Sequence, residues 1–167
     1  MKRKISVFVL SSVICLTAAA QNVGIGTTTP AARLHVLDSS VVFSVPAPPI
    51  NSLAGDPPIS GFGRRMMWYA DKAAFRVGYV ENANWNKENT GLYSFGAGLD
   101  NLAIGEGSVS MGISTYAIGE GSVALNTQTY ATGRSSFATG IQTNAVGANS
   151  AAFGASCGVS VPAAGPP

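Results

Sequence analysis

The chain is 167 residues long, enough for one domain or two small ones, and only 11% of it is charged. Gly, Ala, Ser and Thr dominate instead, a profile that fits neither a disordered chain nor an ordinary helical one. The formal charge of +2 is local: residues 1–20 hold three of the ten Lys+Arg and no Asp or Glu, leaving seven against eight, a net of −1, for residues 21–167. That balance gives no electrostatic footprint for nucleic acid.

Residues 1–20 read as a secretory signal. Lys2, Arg3 and Lys4 precede an apolar run from Ile5 to Thr17, and Ala18-Ala19-Ala20 offers a small-residue cleavage site. Cleavage is predicted after Ala20, and with it export to the cell surface, the outer membrane or the medium. The run is too short for an ordinary membrane-spanning helix. Its removal leaves Cys157 as the sole cysteine, so no intrachain disulfide is expected. No later stretch is long and apolar enough to span a membrane as a helix.

Residues 21–60 combine a Val23-Gly24-Ile25-Gly26-Thr27 segment with a proline-rich linker. Gly and Pro mark a turn, and Leu34 and Val36 alternate like a short strand. Pro46, Pro48, Pro49, Pro57 and Pro58 lack the amide a central strand needs, so this stretch is expected to be irregular. Residues 61–90 hold both tryptophans and much of the charge: Arg64, Arg65, Trp68, Tyr69, Phe75, Arg76 and Trp85.

Residues 91–160 form an array. Gly91, Gly98, Gly105, Gly112, Gly119, Gly133, Gly140, Gly147 and Gly154 fall on a seven-residue period, and Asn126 fills its one gap. Counting from each of these, the fourth residue is small and polar (Ser108, Thr115, Ser122, Thr129) and the sixth is small (Ala103, Ala117, Ala124, Ala131). The fifth and seventh are mostly apolar (Val109, Tyr116, Phe137; Met111, Ile118, Leu125). Glycine at every seventh position rules out a coiled coil, since each costs about 1 kcal/mol in a helix interior.

The pattern predicts a short strand and a tight turn per heptad, with the turn beginning at glycine. The segment 104–117, IGEGSVSMGISTYA, is followed by the nearly identical IGEGSVALNTQTYA at 118–131, so one coil is expected to span fourteen residues and two strands. The fold class expected is all-β, a parallel β-roll or β-solenoid whose stability comes from stacking. Positions five and seven share one strand face and position six the other. The small sixth position is expected to allow close approach of a neighbouring chain. Residues 161–167 form a proline-rich tail.

These heptads resemble the head repeats of trimeric autotransporter adhesins, the YadA-like head. The family's S-x-A-x-G pattern appears at Ser108 to Gly112, Ser122 to Asn126, Ser136 to Gly140 and Ser150 to Gly154. The match covers about 91–155. The resemblance implies a left-handed roll, a homotrimer, and adhesion to host matrix, a glycan or another cell-surface receptor. The segment from Val23 to Val36 and the stretch 64–98 look like the lead-in of exported, fibre-like proteins of Bacteroidetes-type bacteria. The repeat decays at Cys157-Gly158, so the neck, stalk and barrel anchor that follow the head in the family are not expected here. Anchoring is therefore expected to come from partners, unless the chain is a truncated or frameshifted product. An alternative is a structural segment of a phage-type tail fibre or spike.

No catalytic residue, cofactor site or metal site is expected, and the chain reads as non-enzymatic. The sole histidine, His35, has no ligand-type neighbour at suitable spacing. Glycosidases use paired carboxylates, but Glu106 and Glu120, one coil apart, read as the charge ladder that any solenoid makes. Trp68, Tyr69, Phe75 and Trp85, with Arg64, Arg65 and Arg76, are expected to cap the open end of the roll, to make a trimer contact, or to contact glycan by ring stacking. The rows Thr115, Thr129, Thr143 and Ser108, Ser122, Ser136, Ser150 raise an ice-binding face, against which stands their arrangement as single rows beside turns.

Overall fold

The computed structural model describes residues 22–45 and 54–159. The signal segment 1–20 with its cleavage point at Ala20, the linker from Pro46 to Leu53 and the tail 161–167 lie outside the described residues. The chain divides into two compact units, Met1–Val42 and Phe43–Pro167.

In the first unit, β1 (Val23–Ile25) pairs in parallel with β2 (Leu34–Val36), with Val23 opposite Leu34. The Val23–Thr27 segment thus contributes a strand before its turn, which starts at Gly26 with φ of 77°. His35 Nδ1 accepts the Ala31 N–H at 3.2 Å, so the ring tethers this turn.

The second unit is a parallel β-solenoid preceded by one antiparallel hairpin. The hairpin strands are β3 (Gly63–Tyr69) and β4 (Ala74–Val80). Long and short strands then alternate. The long ones are β5 (Phe95–Leu99), β7 (Val109–Ile113), β9 (Val123–Thr127), β11 (Phe137–Ile141) and β13 (Ala151–Ala155). The short ones are β6 (Leu102–Ala103), β8 (Tyr116–Ala117), β10 (Tyr130–Ala131), β12 (Asn144–Ala145) and β14 (Gly158–Val159). Sheet order is β13-β11-β9-β7-β5-β4-β3 on one side and β14-β12-β10-β8-β6 on the other. Each strand residue of the array pairs with the strand residue fourteen along, as Val109 does with Val123 and Tyr116 with Tyr130. The two-strand, fourteen-residue coil is therefore the structural unit.

Inside and outside are the reverse of the expected arrangement. The sixth-position residues Ala103, Ala117, Ala124, Ala131, Ala138 and Ala145 are wholly buried and form the core of the roll, so they do not face a neighbouring chain. The larger fifth- and seventh-position side chains point outward: Met111 is 42% exposed and Phe153 62%. The physical reason is the length of the coil. A five-residue strand, a two-residue strand and two short corners cannot separate their sheets by the roughly 10 Å that large interdigitating side chains need. From Val109 to Ala152 every buried position is Ala, Ser, Thr or Gly.

The Ser and Thr rows also point inward. Ser108, Ser122, Thr115, Thr129 and Thr143 are fully buried, which removes the ice-binding reading. One of these hydroxyls closes a corner, with Ser136 Oγ donating to the Gly133 carbonyl at 2.6 Å, and the sixth-position Ser110 Oγ donates to that of Thr115 at 2.8 Å.

The glycine period does not mark one kind of turn. Gly98, Gly112, Asn126, Gly140 and Gly154 lie within the long strands. Gly91, Gly105, Gly119, Gly133 and Gly147 open the corners that precede those strands. What the glycines of both sets from Gly91 to Gly140 share is close backbone approach. A Cβ on Gly112, where φ is 128°, would stand 1.9 Å from the Asn126 carbonyl oxygen, and one on Gly119 would stand 2.0 Å from that of Gly133.

The left-handed residue that turns each corner is the third of every heptad. Tyr93, Asp100, Gly107, Ser114, Gly121, Gln128, Ser135, Gln142, Asn149 and Ser156 all have φ between 49° and 64°. Only two of them are glycine, although a non-glycine residue in this region costs roughly 1–2 kcal/mol. Pairing between coils compensates: the Gln128 N–H donates to Ile113 C=O at 2.8 Å, and the Ser135 N–H to Glu120 C=O at 2.8 Å.

The two glycine roles predict opposite responses. Gly112→Ala should lower stability by about 1–3 kcal/mol, the cost of a forced φ with a backbone clash. Ser114→Gly, two residues on, should be neutral or stabilising by up to about 1 kcal/mol. Urea denaturation followed by circular dichroism checks both.

Candidate functional site

A stacked parallel roll ends in unpaired strand edges, which natural sheets cover or blunt. Here residues 54–91 cover the first coil. The hairpin supplies β4 as the parallel neighbour of β5, with Phe75 opposite Phe95, and leaves β3 as the outer edge with Arg64 and Arg65 on it. On the short-strand side, carbonyls of the first coil are taken up one by one. Trp85 Nε1 donates to Asn101 C=O at 3.2 Å and to its side-chain Oδ1 at 3.1 Å. Asn84 Nδ2 donates to Asp100 C=O at 3.1 Å, and the Gly91 N–H to Ala103 C=O at 3.0 Å.

Arg76 stands at the centre of this end. Its side chain is wholly buried and occupies the inward column in which Gly96, Ser110 and Ala124 follow. Nη1 donates to the carbonyls of Phe75 at 2.9 Å and Ser94 at 3.0 Å; Nη2 donates to Ser94 Oγ at 2.8 Å and Ala103 C=O at 2.9 Å. Burial lowers its pKa to about 10, which still leaves it cationic at neutral pH. The charge is held by backbone dipoles, and the planar fork reaches both sheets at once, which a lysine ammonium cannot do.

Tyr69 and Trp85, expected as cap or glycan contacts, are 1% and 0% exposed. Both belong to the cap and present no open ring face for glycan stacking. Tyr69 packs with Ala54, Met67 and Ala74, and its hydroxyl donates to Gly55 C=O. Arg65 lies 5.3 Å over the Trp85 ring. Lys72 is buried and donates to the carbonyls of Lys87 and Thr90, both at 2.6 Å. Trp68 alternates with its neighbours Met67 and Tyr69 and so projects outward, 37% exposed.

Trp68 heads the outer face of the long sheet. One column runs Trp68, Phe75, Phe95, Val109, Val123, Phe137, and the next runs Met66, Val77, Ala97, Met111, Leu125, Thr139, Phe153. Phe75 stacks on Phe95 with centroids 5.7 Å apart, and Phe137 lies 5.4 Å from Phe153. At the hairpin end, Phe43, Met66, Trp68 and Phe75 surround an apolar hollow of about 240 Å³. Met66 is 73% exposed and Ile141 55%. Such a continuous apolar face is uncommon on an isolated soluble chain.

The remaining sequence candidates stay apart from one another. Glu120 pairs with Arg134, one coil along, at 3.4 Å, and both side chains are well exposed; a pair of this kind is worth about 0–1 kcal/mol. Among the described residues no group of His, Cys, Asp and Glu is placed to hold a metal, and no helix is long and apolar enough to cross a membrane. One feature had no counterpart among the sequence candidates: a half-exposed Tyr116–Tyr130 stack beside a corner of glutamines. The fourteen-residue recurrence of Tyr and Gln was the available signal for it. Arg76 was expected within the cap, but its column, shared with Gly, Ser and Ala, gave no sign that its side chain would be the buried fork.

Comparison of the chain with protein-family models, with curated proteins and with solved structures finds no match.

Replacing Arg76 tests the cap. Arg76→Ala should cost about 3 kcal/mol through the cavity and the lost hydrogen bonds, and Arg76→Lys should recover less than half of that. Hydrogen exchange should show lost protection first in β5 and β6, ahead of the later coils.

Proposed function

We propose that this chain is the non-enzymatic, adhesin-like head of an exported fibre, assembled as a homotrimer through the outer face of its long sheet. One observation carries the reading: the array keeps small side chains inside and sets large apolar ones in register along the broad outer face of its long sheet. Each buried methyl contributes about 0.8 kcal/mol, while ordering each residue costs about 1–2 kcal/mol of backbone entropy. A fourteen-residue coil with two or three inward methyl-bearing positions therefore depends on more than its own core. Burying Val109, Met111, Val123 and Phe137 against other copies supplies that stabilisation.

The resemblance of the heptads to trimeric adhesin heads supports three copies and a surface role, and the signal-like residues 1–20 support export. Assembly leaves the short sheet and the corners free. Repetition every fourteen residues, in each copy, then offers one kind of contact many times, which raises avidity without strong individual contacts. Host matrix, glycan or another cell surface is the class of partner this display suits.

Light scattering of residues 21–167 should give three times the mass of one chain. Met111→Glu combined with Ile113→Glu should reduce it to a single-chain mass or cause aggregation, since like charges would be buried at the contact. A monodisperse, β-rich single chain in the unsubstituted protein overturns the assembly. Beads coated with the unsubstituted protein should attach to cells or matrix; no attachment to any surface overturns the adhesive role.

A further inference from the structure

The short sheet, which the proposed assembly leaves free, carries an outward column in register: Leu102, Tyr116, Tyr130, Asn144, Gly158. Tyr116 and Tyr130 stack face to face, with centroids 4.9 Å apart and planes within 5°. The column then changes from Tyr to Asn. The smaller Asn144 leaves the far side of the Tyr130 ring without an aromatic neighbour, and Tyr130 is 39% exposed.

The adjacent corner column supplies the wall. Gln142 Nε2 donates to Gln128 Oε1 at 3.3 Å, and Ser156 Oγ donates to Gln142 Oε1 at 3.5 Å. Gln128 and Gln142 are both held in the left-handed corner conformation, with φ of 52° and 54°, so their side chains leave the backbone in matching directions one coil apart. Between the two columns lies a groove of about 260 Å³ lined by Gln128, Tyr130, Gln142 and Asn144.

We infer that this groove binds a neutral saccharide unit. The ring of Tyr130 offers a flat apolar floor for the C–H face of a pyranose. The three carboxamides around it each carry both donors and an acceptor, the combination that sugar hydroxyls require. None of the four lining side chains is charged, so nothing in the groove offsets the desolvation of an acidic sugar. The volume lies at the small end of ligand sites and suits one terminal sugar rather than a long chain. The groove occurs where Tyr gives way to Asn, so each copy holds it at one level of the roll, and three copies would present three such grooves. The inference rests on the display reading above and gives it a ligand class.

The test uses residues 21–167 and saturation-transfer NMR with methyl β-galactoside, methyl β-glucoside, N-acetylglucosamine and lactose. Glucuronic acid and N-acetylneuraminic acid serve as the charged comparison. The expected result is transfer to C–H protons of at least one neutral sugar. Asn144→Tyr continues the tyrosine ladder over the open ring with a residue suited to strands; it should abolish transfer while the circular dichroism spectrum and melting temperature hold. Gln142→Ala should weaken binding about tenfold, the equivalent of one hydrogen bond of about 1.4 kcal/mol. Transfer from none of the neutral sugars, transfer from the acidic sugars alone, or transfer undiminished by Asn144→Tyr overturns the saccharide groove. Bead attachment separates the two readings. Attachment without any sugar transfer rejects the groove and leaves adhesion standing, whereas sugar transfer without attachment leaves the groove and rejects the adhesive role.

Discussion

The structure depends on how closely successive backbones approach one another. Carbonyl oxygens of each coil come within about 2 Å of where a Cβ on Gly112 or Gly119 of the previous coil would stand. That contact allows fourteen residues to close a turn and still pair every strand with the next. It also dictates a roll too thin for a conventional core. Alanine methyls and small hydroxyls fill the interior, and cohesion passes to the hydrogen-bond ladders that run along the axis.

A molecule held together along its axis is vulnerable at its ends and underused on its flanks. The first end is closed by side chains that satisfy carbonyls one at a time, with the Arg76 fork bridging both sheets and Trp85 on Asn101. On the flanks, side chains too large for the interior lie in register outside. They form a broad apolar face on the long sheet and a narrower, mixed strip on the short one, where tyrosines and Asn144 sit beside Ile118 and Val146. The proposed assembly uses the first, and the proposed saccharide groove the second. The division follows from strand length: five-residue strands build a broad face suited to another chain, and two-residue strands leave a narrow strip bordered by corners.

Much of the architecture was legible in the sequence. The glycine interval and the near-duplication of 104–117 in 118–131 determine parallel stacking at a fourteen-residue repeat, because residues one period apart must occupy equivalent places. The low content of helix-favouring runs and the apolar alternation around Ser108–Met111 place strands between the glycines. The aromatic and basic stretch 61–90 was legible as distinct from the array, although not which of its rings would be covered. Alternation along β3 buries Tyr69 and leaves Trp68 outside, while Trp85, beyond the hairpin, is buried where it caps Asn101; which face is inner depends on the coil it abuts.

What the sequence by itself determined is the period, the strand-forming residues and the all-β class, all of which are local or repeat-level properties. Tertiary structure alone decided which side of each strand became the interior. Hydrophobicity assigns the inner face to Val, Tyr and Met, but the available volume assigns it to Ala, Ser and Thr, and volume prevails because two sheets joined by short corners cannot move apart. The same closeness decided that glycine serves backbone approach, and that Ser114, Gln128 and Gln142 take the left-handed corner instead.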